Sequence, residues 1–405
     1  MIHKIPSHNL KYLVQTPRRG AAPKDFSDDI AQKVLTFHSK LPSYRPTALV
    51  RLDELARAWG LRDIFVKDES TRFKLKAFKV LGGSYSVARL MCDKLGKKVE
   101  EVDFDYLKSE KVRKQIGQMT LTSATDGNHG RGIAWAAEKL GLKAVIYMPK
   151  GVASSRVENI KGHGATVFET DLNYDDAVRL CCEKADKNGW HMVQDTAWEG
   201  YSDIPLWIMQ GYMTMCSEAV DQMVQRRTLP SHVFIQAGVG ALAGAVIGYL
   251  INRFQDNPPK FIIMEPGNAA CVFTSAAAGD GKTHAVTGDH ETIMAGLACG
   301  EVNPLSWDIL RNFTDCYVSC ENHVAANGMR ILANPLAGDA QVEAGESGSV
   351  GIGLLDLITN NSNFEEFKKA LKIDADSTAL IFNTEGATDP VNYQDILWHG
   401  KYPSP

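Results

Sequence analysis

From Leu41-Pro42-Ser43-Tyr44-Arg45-Pro46-Thr47 onward, short apolar runs take turns with longer amphipathic stretches. Residues 64–67, 119–122, 144–148, 165–168 and 191–193 read as strands, and 77–92, 129–140, 154–160 and 174–187 as helices. Ser202-Asp203 with Pro205 predicts a helix start. Ile208, Tyr212, Met215, Cys216, Ala219, Val220 and Met223 then fall on one face at 3.6-residue spacing, which marks them as core. The alternation continues with strands at 233–235, 261–264, 316–319 and 379–382 and helices at 324–332 and 350–359. This rhythm predicts an α/β protein with parallel sheets covered by helices. Residues 1 to 40 read as an irregular arm. The glycine-rich segments 279–300 and 337–353 read as long loops, which in compact domains are often functional.

Composition narrows the class. At 405 residues the chain is long enough for two or three folding units. A formal net charge of −4 is too mild for binding nucleic acid by counterion release. Eight Cys without a CxxC pair fit a reducing cytoplasm, and eleven His without HxxxH or Cys/His pairing predict no metal site. The opening MIHKIPSHNLKYLVQTPRRG lacks the apolar core of a secretory signal. The apolar run 237–251 stops short of the ~20 residues needed to span a bilayer. No membrane partner is expected.

Polar residues cluster just beyond five of the predicted strands. Gln236-Ala237-Gly238-Val239-Gly240-Ala241-Leu242-Ala243-Gly244 lies between a strand and a helix, where glycines admit a phosphate to free backbone N–H groups and a helix dipole. The same stretch fits a dinucleotide GxGxxA pattern with Glu265 ending the next strand, and it also fits plain small-residue packing. Lys79 follows Ala77-Phe78 at a strand-to-helix junction, where burial favours a neutral, nucleophilic amine. Thr125-Asp126-Gly127-Asn128-His129-Gly130 occupies another such junction. Gln194-Asp195 and Phe382-Asn383-Thr384-Glu385-Gly386 end two more strands.

In order and spacing these segments resemble the fold-type II pyridoxal-phosphate enzyme superfamily (tryptophan synthase β-like), including its threonine and serine dehydratases, over residues 42–390. Within it the chain resembles the diaminopropionate ammonia-lyase family. The resemblance rests on Lys67-Asp68-Glu69-Ser70, Ala77-Phe78-Lys79, Thr125 through Gly132, Asp195-Thr196-Ala197-Trp198-Glu199-Gly200-Tyr201 and Met294-Ala295-Gly296-Leu297-Ala298-Cys299-Gly300. It implies two three-layer α/β domains with mainly parallel, twisted sheets and the cofactor in the cleft between them. Residues 1–92 with 200–405 would form the large cofactor-binding domain and 93–199 a small mobile one, in a homodimer.

The resemblance further implies that Lys79, beside Phe78, carries pyridoxal 5′-phosphate as an internal aldimine. Gly238, Val239, Gly240, Ala241 and Leu242 would hold the phosphate and Asn128 the pyridine 3′-oxygen. Thr384 would offer the ring nitrogen a neutral hydroxyl, which favours rapid β-elimination. Common threonine dehydratases carry a small residue where this chain has Asp126. A carboxylate there suits a cationic β-amino group. The implied reaction is α,β-elimination of 2,3-diaminopropionate to pyruvate and two ammonia through aminoacrylate. Asp195 would take the α-proton of the L-isomer and Asp126 that of the D-isomer. The nearest alternative is a serine or threonine dehydratase. A distant one is an NAD-dependent oxidoreductase built on Gly238, Gly240, Ala243 and Glu265. Cys271 and Cys299 are implied to flank the site entrance, as buried thiols in preference to a disulfide gate.

Overall fold

The computed structural model describes residues 2–405. Twelve strands form two sheets: β1 Ile2–Ile5, β2 Leu10–Val14, β3 Ala48–Arg51, β4 Asp63–Asp68, β5 Thr120–Ala124, β6 Lys143–Met148, β7 Thr166–Glu169, β8 His191–Met192, β9 His232–Gln236, β10 Lys260–Pro266, β11 Cys316–Cys320 and β12 Thr378–Asn383. The larger sheet runs β1-β2-β11-β10-β9-β12-β4-β3, and the smaller β7-β6-β5-β8. Strands β11, β10, β9, β12 and β4 are mutually parallel, as is the whole smaller sheet. Antiparallel pairing is confined to the β1-β2-β11 and β3-β4 edges. The central strands are buried on both faces, so they read as unbroken apolar runs such as Phe261-Ile262-Ile263-Met264.

Two expectations need correction. The N-terminal arm is ordered: β1 and β2 form a hairpin on the sheet edge, and Asp28–Ser39 is a helix. Its signal is short, with Leu10 and Tyr12 buried on either side of exposed Lys11, and a hairpin of this size gains its stability only by joining a larger sheet. The second half of 337–353 is also helical, in Glu346–Asn360. Its glycines serve close packing: a Cβ on Gly353 would lie 1.9 Å from the Val324 carbonyl oxygen, and one on Gly328 2.1 Å from that of Ser349. The Asn322–Ala333 and Glu346–Asn360 helices cross backbone to backbone there.

Helix Lys79–Leu95 joins the two halves of the molecule. On one side Gly82 meets helix Asp203–Gln225, where an added Cβ would lie 2.6 Å from the Tyr212 ring. On the other, Gly132 of helix Asn128–Leu140 leaves only 2.9 Å from its own virtual Cβ to Val80 Cα. The segment entering this helix is strained: Phe73, Lys74 and Lys76 all have positive φ, at 48°, 62° and 56°. Non-glycine residues hold such angles only where their surroundings over-determine them.

The surroundings here are a buried ionic network built on the Lys67–Ser70 motif. Lys67 Nζ lies 2.7 Å from Glu218 Oε2, Arg72 Nη2 is also 2.7 Å from it, and Arg72 Nε is 2.8 Å from Glu69 Oε2. Tyr44 and Thr47 donate to the same acids. Burial opposes charge on Glu218, yet Arg72 and Lys67 together hold its carboxyl down at about 2. Glu218→Gln leaves buried cations uncompensated and should cost about 3–5 kcal/mol in urea unfolding at neutral pH. Because the native carboxyl is depressed, that stability is present above the ordinary carboxylate range. It is lost as pH falls toward about 2, where mutant and wild type should converge.

Candidate active site

All the predicted site segments follow the carboxyl ends of parallel strands, the usual ligand position in open α/β sheets. Lys79 follows β4, Asp126 follows β5, Asp195 follows β8, Gly238 follows β9 and Thr384 follows β12. They converge on one narrow cavity between the two sheets. Its lining includes Phe78, Lys79, Asp126, Asn128, Asp195, Gly238 through Leu242 and Thr384, so every predicted residue reaches one site.

One wall is the loop Gly238–Gly240 and the start of helix Ala241–Phe254. First-turn amides of a helix have no intrahelical acceptor, and together with the dipole they make an anion site. Gly240 holds φ +92°, a left-handed angle that glycine adopts freely. A side chain at Gly238 would press on Leu297 Cα at 3.1 Å and Cys299 Sγ at 3.2 Å. The glycines therefore let the loop pack against the 296–299 segment and Ser306. Ser347 adds a buried hydroxyl that has no protein partner among the described residues.

Opposite stands Lys79. Its Nζ lies 2.5 Å from Asp195 Oδ2, and Tyr174 donates to Oδ1 at 3.2 Å. Gln194 donates to the Tyr174 oxygen at 2.8 Å, and Asn303 to the Asp195 carbonyl at 3.1 Å. Burial disfavours both charges, but the pair overrides it. Asp195 is held well below the usual carboxylate range by Lys79, and Lys79 well above the usual amine range by Asp195.

Asp126 has the opposite character. Burial raises its carboxyl above the usual value, and Arg156, with Nη1 at 3.1 Å from Oδ2, and then Lys79 only partly offset that rise. Two carboxyls pushed apart in acidity around one amine are the pattern expected of divided acid–base roles. Asn128 donates to Glu385 Oε2 at 2.6 Å, and the Ser347 amide donates to Glu385 Oε1 at 3.1 Å. Glu385 thus ties the Asn128 loop to the end of β12. His129 donates from Nε2 to the Val193 carbonyl at 2.8 Å, and burial lowers its pKa, which keeps the ring neutral.

Arg156, Tyr174, Ser347, Gln236 and Glu385 carry much of this geometry, yet only the last two lie inside motifs visible in sequence. Arg156 and Tyr174 sit on helices Ser154–Lys161 and Tyr174–Asn188 with no local signature. Glu265 does not face a ribose site. Its carboxylate is fully buried and accepts from the Val272 and Phe273 amides at 2.8 and 2.6 Å, capping helix Cys271–Ala278, with burial pushing its pKa to about 8. This removes the acid on which the dinucleotide reading depends. Cys271 and Cys299 are free and buried, both against Gly238.

An amine paired with a buried acid, facing a glycine-lined anion cradle between two parallel-rich sheets, defines a fold-type II pyridoxal-phosphate enzyme. The pyridoxal-phosphate dependent enzyme family matches residues 40–361. The diaminopropionate ammonia-lyase of Salmonella typhimurium is 48% identical over 97% of this chain and 98% of its own. The crystal structure of holo diaminopropionate ammonia-lyase from Escherichia coli superposes with a TM-score of 0.93 at 45% identity, covering 100% of both chains. A second structure of that enzyme, with an aminoacrylate-PLP azomethine reaction intermediate, has a TM-score of 0.91 at 45% identity over 98% of this chain and 99% of its own. The chain belongs to the pyridoxal-phosphate dependent enzyme family, in its diaminopropionate ammonia-lyase branch, and pyridoxal phosphate is its cofactor.

Proposed function

We propose that this protein eliminates the β-amine of 2,3-diaminopropionate, in both L and D forms, giving pyruvate and two ammonia. The observation that carries the reading is the opposed pair of acids: Asp195 firmly ionised on Lys79, and Asp126 raised beside Arg156. Bound pyridoxal phosphate supplies an aromatic system that takes up the electron pair freed when the Cα–H bond breaks. Lys79 anchors it through Nζ, with Phe78 alongside. The amides of Gly238, Val239, Gly240, Ala241 and Leu242 would hold its phosphate, Asn128 its 3′-oxygen and Thr384 its ring nitrogen.

The remaining chemistry belongs to the two carboxylates. Asp195 accepts the Cα proton of the L-isomer, and Asp126 that of the D-isomer. With either isomer the β-ammonium is the leaving group. The group leaves as ammonia, and the aminoacrylate released takes up water to give pyruvate and a second ammonia. Pyruvate formation should be at least about 10²-fold faster with diaminopropionate than with serine under matched conditions. Equal or faster turnover of serine would make the protein a dehydratase.

The small mobile domain proposed at 93–199 is supported by the four-stranded sheet, drawn wholly from residues 120 to 192. All eight cysteines are free thiols, in keeping with a cytoplasmic site of action. Among the described residues no helix is long and apolar enough to cross a membrane. A homodimer fits the exposure of Val391 and Trp398, 71% and 73%, one above the other on helix Pro390–Trp398.

A further inference from the structure

We propose that Gln236 is a positioning residue that fixes which way the Thr384 hydroxyl points its proton, and so keeps the pyridine nitrogen of the bound cofactor unprotonated. This rests on the placement of Thr384 at that nitrogen in the function proposed above.

Gln236 is the last residue of β9, two residues before Gly238, and both it and Thr384 are buried. Its Nε2 lies 2.9 Å from the Ser347 carbonyl oxygen, 3.1 Å from that of Phe382 and 2.8 Å from Thr384 Oγ1. Carbonyl oxygens only accept, so the atom facing them is the amide nitrogen, and the orientation of the side chain is settled by the backbone. An amide nitrogen offers no lone pair. Two amide protons are shared among three oxygens, and Thr384 Oγ1, the nearest at 2.8 Å, accepts from it, so the hydroxyl proton points elsewhere.

Among the described residues that hydroxyl donates to no protein group, while Thr384 lines the cavity. The proton is left for the ligand. A ring nitrogen with a free lone pair receives it, whereas a protonated ring nitrogen would take the second hydroxyl lone pair and leave the hydroxyl proton without an acceptor. A hydroxyl by itself can donate or accept with equal ease. With the amide on one lone pair and no protein acceptor for the proton among the described residues, donation to the ligand is the arrangement that leaves no hydroxyl proton unpaired. One strand end thus supplies both the phosphate cradle and the polarity of the group facing the far side of the ring.

The test uses holoenzyme reconstituted with pyridoxal phosphate carrying ¹⁵N in the ring, whose chemical shift reports protonation of that nitrogen. Wild type should show the unprotonated signal throughout pH 6 to 9. Gln236→Glu replaces the donor by an acceptor that can turn the hydroxyl round, and should move the signal toward the protonated form as pH falls. Gln236→Met, which removes the donor without adding an acceptor, should give an intermediate shift and about tenfold weaker cofactor binding. In a Thr384→Val background, neither change should shift the signal further.

A protonated ring nitrogen in wild type at neutral pH would overturn the proposal without any variant. So would wild-type signals in both Gln236 variants alongside a changed signal in Thr384→Val. Failure of the underlying reading looks different: no visible absorbance of cofactor attached to Lys79 in the wild-type protein.

Discussion

Lys79→Ala should yield a folded, colourless protein in which the visible absorbance of the attached cofactor is gone and pyruvate formation falls on the order of 10⁴-fold or more. The reason is geometric as well as chemical. Lys79 opens helix Lys79–Leu95, which is held by glycine-scale contact to helices on both sides, and its Nζ reaches the cavity opposite the anion cradle. Among the described residues no other lysine lines that cavity, so no neighbouring amine there can replace it. The substitution also leaves Asp195 buried without its cation. Its carboxyl should rise from its depressed value, because Lys79 is the charge that most lowers it. Absorbance spectroscopy, circular dichroism and a coupled pyruvate assay on the same preparations separate loss of attachment from loss of fold. Active protein without the visible absorbance would remove the basis of the whole assignment.

Asp195→Asn should lower turnover of L-diaminopropionate by about 10²–10⁴-fold while leaving the D-isomer within a few-fold of wild type, and Asp126→Asn should do the reverse. Both substitutions keep size and remove the base. The pH dependence should differ as well. Asp195 lies well below the ordinary carboxylate range and stays ionised through the working range of pH. Asp126 is raised by burial, and Arg156 is the largest charge opposing that rise. Arg156→Met should therefore raise Asp126 further and move the acid limb of the D-isomer rate profile to higher pH, with the L-isomer limb unmoved. Steady-state rates with each enantiomer between pH 5 and 9 provide the measurement. Equal losses for both isomers in each aspartate variant would refute the two-face assignment and leave the cofactor chemistry intact.

Much of the site is legible in sequence because its residues announce themselves locally. A lysine after Ala-Phe, a Gly-Asn-His loop and a glycine run each occupy a strand-to-helix junction, and carboxyl ends of parallel strands meet at one edge in any open α/β sheet. What acts through distance is not legible. Arg156 and Glu218 look like ordinary helical charges until the fold sets one beside Asp126 and the other between Lys67 and Arg72. Gln236 reads as the polar end of a strand, and its grip on Thr384 needs β9 and β12 as neighbours. The glycines of 346–353 read as loop because propensity counts against them in a helix, whereas close neighbours leave no space for side chains: Asn383 at Gly348, Ile381 at Gly351 and the Asn322–Ala333 helix at Gly353.

The sequence by itself determined the class of fold through strand and helix periodicity, and its resemblance to a known family implied the cofactor chemistry and the candidate acids, since both kinds of signal are carried by neighbours along the chain. Only the tertiary structure decided that the Asp195 and Asp126 carboxyls are pushed in opposite directions, that Glu265 caps a helix and that Gln236 meets Thr384. Charge state and hydrogen-bond direction depend on burial and on partners brought from more than a hundred residues away, such as Lys79 for Asp195 and Gln236 for Thr384.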